Sequence, residues 1–160
     1  MSLSLPASSD AYRLSIVRCP ACAEPMRRDL TTTTEVEACD ACEGMWVDWF
    51  DGAVSTVAIE AEAARLERGT PPPSRPAQPT TGSRTCPRCQ RALVAELLGF
   101  DDAKHDELIG GVELLRCAEC AGAFVPRGSA HLLFDRAREA RAPTLWEAVL
   151  ALLQRLRTRS

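Results

Sequence analysis

The chain has 160 residues, a formal net charge of −3 and eight cysteines, a length typical of one domain or two very small ones. It contains no apolar run of about 18 residues, which excludes a membrane-spanning helix. The N-terminal stretch MSLSLPASSDAYRLSIVR has neither a basic segment nor an apolar core, so we expect no secretory signal and a cytoplasmic protein. Residues 1–70 carry a balance of −6 and residues 71–160 one of +3, without the basic excess of a dedicated DNA-binding domain.

The eight cysteines form four C-x-x-C pairs, and no cysteine is left over. Sixteen residues separate the first two pairs, twenty-seven separate the last two, and forty-three lie between the two groups. The groups look like an internal duplication, in which CPACAEPM and CDACEGMWVD correspond to CPRCQRAL and CAECAGAFVP. In each copy a proline follows the first cysteine, and a glycine (Gly44 or Gly122) lies two residues after the last.

The first copy predicts short strands followed by one helix. Tyr12–Val17 and Met26–Leu30 are compatible with strands, and Trp46–Val47 predicts another short strand after the second cysteine pair. A helix is expected over residues 53–68, with Asp51 as its N-cap. Its apolar stripe consists of Val54, Val57, Ala58 and Ala61, and Gly69 is the candidate C-cap.

Residues 70–85 predict a linker, because five of the eleven prolines lie in TPPPSRPAQPTTGSR. The alternative is an ordered loop that lies over the surface. The linker divides the chain into a first unit with its helix at residues 1–69 and a second unit with C-terminal helices at residues 86–160. Since each part has its own cysteines, we expect each to fold separately.

The second copy predicts a longer hairpin and two helices. Leu93–Phe100 and Val112–Arg116 are the expected strands, and the polar sequence DDAKHDELIGG forms the tip. Ser129 can cap a helix over residues 130–141. After Pro143 a second helix is expected, in which nine of the twelve residues of Leu145–Leu156 are apolar. A helix this apolar must be covered, either by the rest of this chain or by a partner.

Two C-x-x-C pairs about 15–20 residues apart predict a tetrahedral zinc site. Each pair forms a tight turn that aims both sulfurs at one point, and a hairpin brings two such turns together. We therefore expect two Zn²⁺ ions, both structural, because four thiolates leave no coordination position open for water or substrate. The expected ligands are Cys19, Cys22, Cys39 and Cys42 for one ion, and Cys86, Cys89, Cys117 and Cys120 for the other.

Other uses of the cysteines stay open at this point. Disulfides would require an oxidising compartment, and a rubredoxin-like iron site uses similar cysteine turns. A thioredoxin-like redox pair would need a βαβ context, which the sequence does not predict. Neither His105 in the hairpin tip nor His131 early in a helix has ligand spacing, so both are expected to be solvated or helix-capping.

The first copy resembles the bacterial transcription-factor-IIB-type zinc ribbon, whose pattern is C-P-x-C, a short hairpin, and then C-x-x-C-x-G-x-W-[LIV]-D-x-G-E before a helix. The match covers both cysteine pairs and extends through Gly44, Trp46 and Asp48, and the second copy shares the cysteine framework and Gly122. Departures from the family residues occur at Phe50, Asp51, Phe124, Pro126 and Ser129. The resemblance implies a small metal-bound α+β fold of two zinc ribbons, each followed by helix.

The sequence contains no signature of a catalytic nucleophile, a phosphate loop or an open metal site, so we do not expect an enzyme. The leading hypothesis is a structural-zinc adaptor that binds another protein, or a second copy of itself, through the Leu145–Leu156 helix. The first alternative is a nucleic-acid-binding or transcription-associated ribbon, for which Arg84, Arg88 and Arg91 are the candidate contacts. A further alternative is a redox or zinc sensor that uses the cysteine thiolates.

Overall fold

A computed structural model of the chain describes residues 16–31, 34–73, 84–98 and 111–141. These residues form six short strands and two helices. The strands are β1 (Arg27–Leu30), β2 (Glu35–Ala38), β3 (Met45–Val47), β4 (Val94–Leu98), β5 (Val112–Arg116) and β6 (Ala123–Val125). The helices are α1 (Val54–Glu67) and α2 (Arg127–Arg141). We refer to β1–β3 with α1 as the first half and to β4–β6 with α2 as the second half.

All six strands belong to one antiparallel sheet in the order β1-β2-β3-β6-β5-β4. The two halves meet where β3 pairs with β6, and the register places Trp46 opposite Phe124. The expectation of two separately folding ribbons is therefore corrected, because their backbones are hydrogen-bonded into a single sheet. The linker sequence did not reveal this pairing. A proline-rich connection limits only the conformations of the connecting residues, and it carries no information on whether the two units pack against each other.

The pairing depends on a reciprocal contact between glycine and aromatic ring. A Cβ atom at Gly44 would lie 2.7 Å from Cε2 of Phe124, and one at Gly122 would overlap the indole ring of Trp46. Each glycine therefore provides space for the ring of the other half. Real Cβ atoms do not approach ring carbons this closely, so a residue with a side chain at either position would displace the ring.

The sheet has two differently covered faces, as the alternation along β3 shows. Trp46 packs with the cysteines, whereas Met45 and Val47 belong to a second core formed with the helices. Successive side chains of a strand point to opposite faces, so the cysteines and the helices cover opposite sides of the sheet. The two helices also contact each other.

Two helix starts differ from the sequence prediction. The residue that precedes α1 is Ala53, and it makes no side-chain capping bond. The carboxylate of Asp51 instead accepts a 2.8 Å hydrogen bond from the backbone N–H of Asp48, within the turn that follows β3. The helix α2 begins at Arg127, and the hydroxyl of Ser129 donates to the carbonyl of Glu113 at 2.6 Å, so Ser129 ties the helix to β5. Short polar side chains bond whichever backbone group lies nearest, and here these groups come from tertiary contacts.

Other sequence predictions are confirmed. The expected hairpin of the second copy is β4 paired with β5, from Val94 opposite Arg116 to Leu98 opposite Val112. Gly69 follows α1 with a φ of +81°, as expected of a helix-terminating glycine. The strand expected at 12–17 is not seen at residues 16 and 17, and its earlier residues lie outside the described ranges. Most of the linker, the hairpin tip and the helix predicted over Leu145–Leu156 also lie outside these ranges. Neither described helix is long and apolar enough to cross a membrane.

We predict that Gly44→Ala destabilises the zinc-loaded protein by about 1–3 kcal/mol, because the new methyl group forces the ring of Phe124 out of its site. Urea unfolding of the zinc-loaded protein measures the change. Combining Gly44→Ala with Phe124→Leu is the control, and the double variant should lose less stability than the sum of the single changes. A Gly44→Ala variant within about 0.5 kcal/mol of the wild type would show that the glycine and the ring are not in contact.

Candidate metal centre

The first four-cysteine group is assembled by two tight turns, one before β1 and one between β2 and β3. The thiol sulfurs of Cys19, Cys22, Cys39 and Cys42 all lie within 4.8 Å of one another. Backbone hydrogen bonds form both turns; for example, the N–H of Cys39 donates to the carbonyl of Gly44 at 2.9 Å. The sulfur atoms are therefore held together by the local fold of two separate chain segments.

The second group is assembled in the same way from the segment before β4 and the turn between β5 and β6. Its four sulfurs, from Cys86, Cys89, Cys117 and Cys120, also lie within 4.8 Å of one another. The N–H of Cys117 donates to the carbonyl of Gly122 at 2.9 Å, which repeats the bond between Cys39 and Gly44. The structure thus brings together all eight sequence-predicted ligands, in the two predicted groups of four.

All four turns share an uncommon backbone conformation. The residue that follows the second cysteine of each pair has a positive φ between 57° and 62°, although none of these residues is glycine; they are Ala23, Glu43, Gln90 and Ala121. This left-handed conformation costs free energy for a residue with a Cβ atom. Four costly turns at matching positions indicate that the cysteine positions are strongly constrained, as a bound ion would require.

The sulfur spacing fits a tetrahedral zinc ion. The short distances are 3.5 Å between Cys19 and Cys42 and 3.3 Å between Cys22 and Cys39. In the second group the short Sγ–Sγ distances are 3.6 Å between Cys86 and Cys120 and 3.2 Å between Cys89 and Cys117. None of these sulfur pairs is close enough to be covalently bonded. A disulfide would need about 2.05 Å, whereas four sulfurs at about 2.3 Å from one Zn²⁺ lie about 3.8 Å apart.

The acidity of the thiols shows why the groups need a cation. The hydrogen bond to Cys42 and burial raise the pKa of Cys19, and the same bond lowers the pKa of Cys42 to about 5. In the second group burial raises the pKa of Cys120 to about 11. Burial also acts to raise the pKa of Cys117, but hydrogen bonds, among them one from the backbone N–H of Cys120, lower it to about 7. Four such thiols do not all ionise side by side unless a cation balances their charge, and a divalent ion provides that balance.

The chemistry of each site is that of a closed, structural zinc centre. Four thiolates fill a tetrahedral coordination sphere and leave no position for water or substrate. The free energy of binding becomes folding free energy, with apparent values of about 10–16 kcal/mol for small zinc peptides near neutral pH. The geometry and the donor set thus support two structural Zn²⁺ ions per chain.

Trp46 lies in the buried core beside the metal groups. It is fully buried and belongs to the same apolar cluster as cysteines of both groups, including Cys19, Cys39 and Cys117. Its indole N–H donates to the carboxylate of Asp48 at 2.7 Å, so the only polar atom of the ring is satisfied.

A buried ion cluster between the halves was not anticipated from the sequence. The guanidinium of Arg88, only 1% exposed, binds Asp48 through two hydrogen bonds of 3.2 and 2.7 Å and also contacts Glu37. Arg88 therefore cannot serve as a surface contact for nucleic acid, and that expectation is corrected. The W-V-D motif pointed to a role for Asp48, but no sequence spacing relates it to an arginine 40 residues away.

A second charged cluster joins the helices to the first cysteine group. Arg127 is buried and binds the side chain of Glu43 at 2.6 Å and that of Glu62 at 3.5 Å. The ring of His131 lies 3.1 Å from Glu62 and is only 20% exposed. The expectation that His131 is solvated or helix-capping is therefore corrected. Arg65 donates to the carbonyl of Glu43 at 2.7 Å, and burial lowers the pKa of Arg65. These residues are far apart in sequence, which explains why no local pattern revealed them.

Comparison with known proteins agrees with this geometry for the first half. Residues 18–51 match the model of a family described as transcription factor zinc-finger, of the TFIIB zinc-ribbon type. The matched range contains all four cysteines of the first group, while the second group lies outside it. Searches of curated proteins and of solved structures gave no match. The first half is therefore similar to a TFIIB-type zinc ribbon, and a second four-cysteine group accompanies it.

We predict two zinc ions per purified chain and no colour, because each four-cysteine group binds one ion without d–d absorption. Elemental analysis against protein concentration measures the ratio, and a visible spectrum detects iron–thiolate absorption. Arg91→Met, an exposed change close to the second group, serves as the control and should keep the ratio. One zinc per chain, or a visible iron–thiolate band, would contradict the assignment.

Proposed function

We propose that this protein is a non-catalytic zinc scaffold whose surface binds another protein. The observation that carries the proposal is that both four-thiolate groups are closed and belong to one shared core. Zinc in such a position builds the fold and offers no site for chemistry. The scaffold can then act only through the surface that it holds in place.

The described surface carries large apolar side chains that a partner could cover. Trp49 is 62% exposed and stands edge-on to Phe50, with ring centroids 5.6 Å apart. It lies in the turn after β3, beside Asp48, so the buried ion cluster fixes the backbone that presents it. Exposed tryptophans on rigid backbone are frequent hot spots of protein interfaces. The Leu145–Leu156 helix, predicted from sequence and outside the described residues, is the second candidate surface.

The matched family description supports a second candidate, association with nucleic acid or with transcription proteins. Two observations weigh against direct nucleic-acid binding. With a formal −2 at each zinc–thiolate group, the net charge falls from −3 to −7, which repels phosphate. The burial of Arg88 also leaves only Arg84 and Arg91 of the three expected arginines for such a surface. Protein binding is therefore the function that these charges favour.

The test is affinity capture from nuclease-treated native lysate with the full-length, zinc-loaded chain. We predict that Trp49→Ala or Leu152→Asp loses a specific partner, or self-association, while the zinc content stays at two. Leu30→Ala, another exposed apolar residue, is the matched control for Trp49, and Gln154→Glu, off the apolar stripe, is the control for Leu152.

Two outcomes would contradict the proposal. If Leu152→Asp precipitates and Trp49→Ala changes nothing, neither surface is a docking element. If the wild type binds DNA or RNA with a steep salt dependence that Arg84→Gln and Arg91→Gln remove, the nucleic-acid function is correct instead.

A further inference from the structure

The two metal groups are embedded in the same apolar core. A single cluster of buried residues contains cysteines of the first group, Cys19 and Cys39, and cysteines of the second, Cys86 and Cys117. Trp46 from one half and Phe124 from the other lie among them. Unfolding either half therefore removes part of the apolar cover of the other half's ligands.

We call the C-x-x-C turns that supply the cysteine ligands the metal turns. The reciprocal glycine–ring contacts connect the metal turns of the two halves. Gly44 lies two residues after Cys42, and its carbonyl accepts the N–H of Cys39, so its position depends on the first metal turn. The ring that fills the space at Gly44 is Phe124, from the second half. The mirror contact runs from Gly122 to Trp46. Each ring is thus placed correctly only when the metal turn of the other half is formed.

Charged residues within the metal turns also cross between the halves. Arg88 lies between Cys86 and Cys89 and binds Asp48 and Glu37 of the first half. In the opposite direction, Glu43 directly follows Cys42 and binds Arg127 of the second half. If a metal turn unfolds, its charged residue no longer contacts the buried, oppositely charged residues of the other half. Leaving a buried charge without its partner is strongly unfavourable.

These contacts have one thermodynamic consequence for metal binding. Zinc binding folds a metal turn, and the folded turn supplies a glycine site, a ring contact and a charge to the other half. The second half then needs less free energy to fold around its own ion, so the first ion raises the affinity for the second. Linkage requires the same factor in both directions.

We propose that the two zinc groups are filled as one cooperative unit, coupled through Trp46, Phe124 and the Arg88–Asp48 ion pair. The chain with one ion is a minor species at every zinc concentration. The protein therefore passes between its metal-free form and its two-zinc form over a narrow range of free zinc. Its folded surface responds to zinc as a threshold, which neither group would produce alone.

Native mass spectrometry of the full chain at one equivalent of zinc is the direct test, because it counts chains with no, one and two ions. The proposal predicts that metal-free and two-zinc chains together exceed one-zinc chains, with a Hill coefficient of about 1.5–2 in a chelator-buffered titration. A one-zinc share of half or more of the chains would overturn it, because independent groups produce at least that share whether or not their affinities are equal.

Arg88→Met tests the coupling route while all eight ligands remain. We expect a larger one-zinc population than in the wild type, whereas the exposed Arg91→Met matches the wild type. An Arg88→Met variant with the wild-type distribution would overturn the assigned route. The paired change Cys19→Ser with Cys22→Ser removes the first group, and the zinc dissociation constant of the second should rise at least about tenfold. An unchanged dissociation constant would contradict coupling, and complete loss of zinc would support it.

Discussion

The structure depends on the pairing of β3 with β6, and this pairing depends on two glycines that leave room for two rings. Trp46 and Phe124 lie opposite each other across the central strands, and each ring occupies space next to the other half's glycine. The contact joins two three-stranded units into one six-stranded sheet. Among the residues that the structure describes, the two largest fully buried side chains, Trp46 and Phe124, therefore lie at the junction of the halves.

Zinc binding and buried ion pairs add to the stability that the small apolar core provides. Structural metal contributes folding free energy beyond that of apolar burial. The buried guanidinium of Arg88 is balanced by the carboxylates of Asp48 and Glu37, one of which also accepts the indole N–H of Trp46. Metal, ring and ion pair therefore meet in one place. A scaffold of this kind holds its exposed residues, such as Trp49, in a defined position.

The features that could be predicted from the sequence are local ones. The C-x-x-C spacing identified both four-cysteine groups, two segments on either side of a polar tip identified the hairpin of β4 and β5, and an apolar stripe identified the helix α1. The burial of Arg88 and the ion pair between Glu62 and His131 could not be predicted, because the residues of each pair lie 40 or more positions apart. Gly44 and Gly122 stood out in sequence, but the rings that explain them belong to the other half.

The most direct measurement of the shared core is a nuclear Overhauser spectrum of the zinc-loaded full-length protein. The account predicts strong cross-peaks between the indole protons of Trp46 and the Hα protons of Gly122, and between the ring protons of Phe124 and the Hα protons of Gly44. These pairs are about 80 residues apart in sequence, so only the packing of the two halves can bring them together. A spectrum in which both rings show contacts only within their own half would contradict the account.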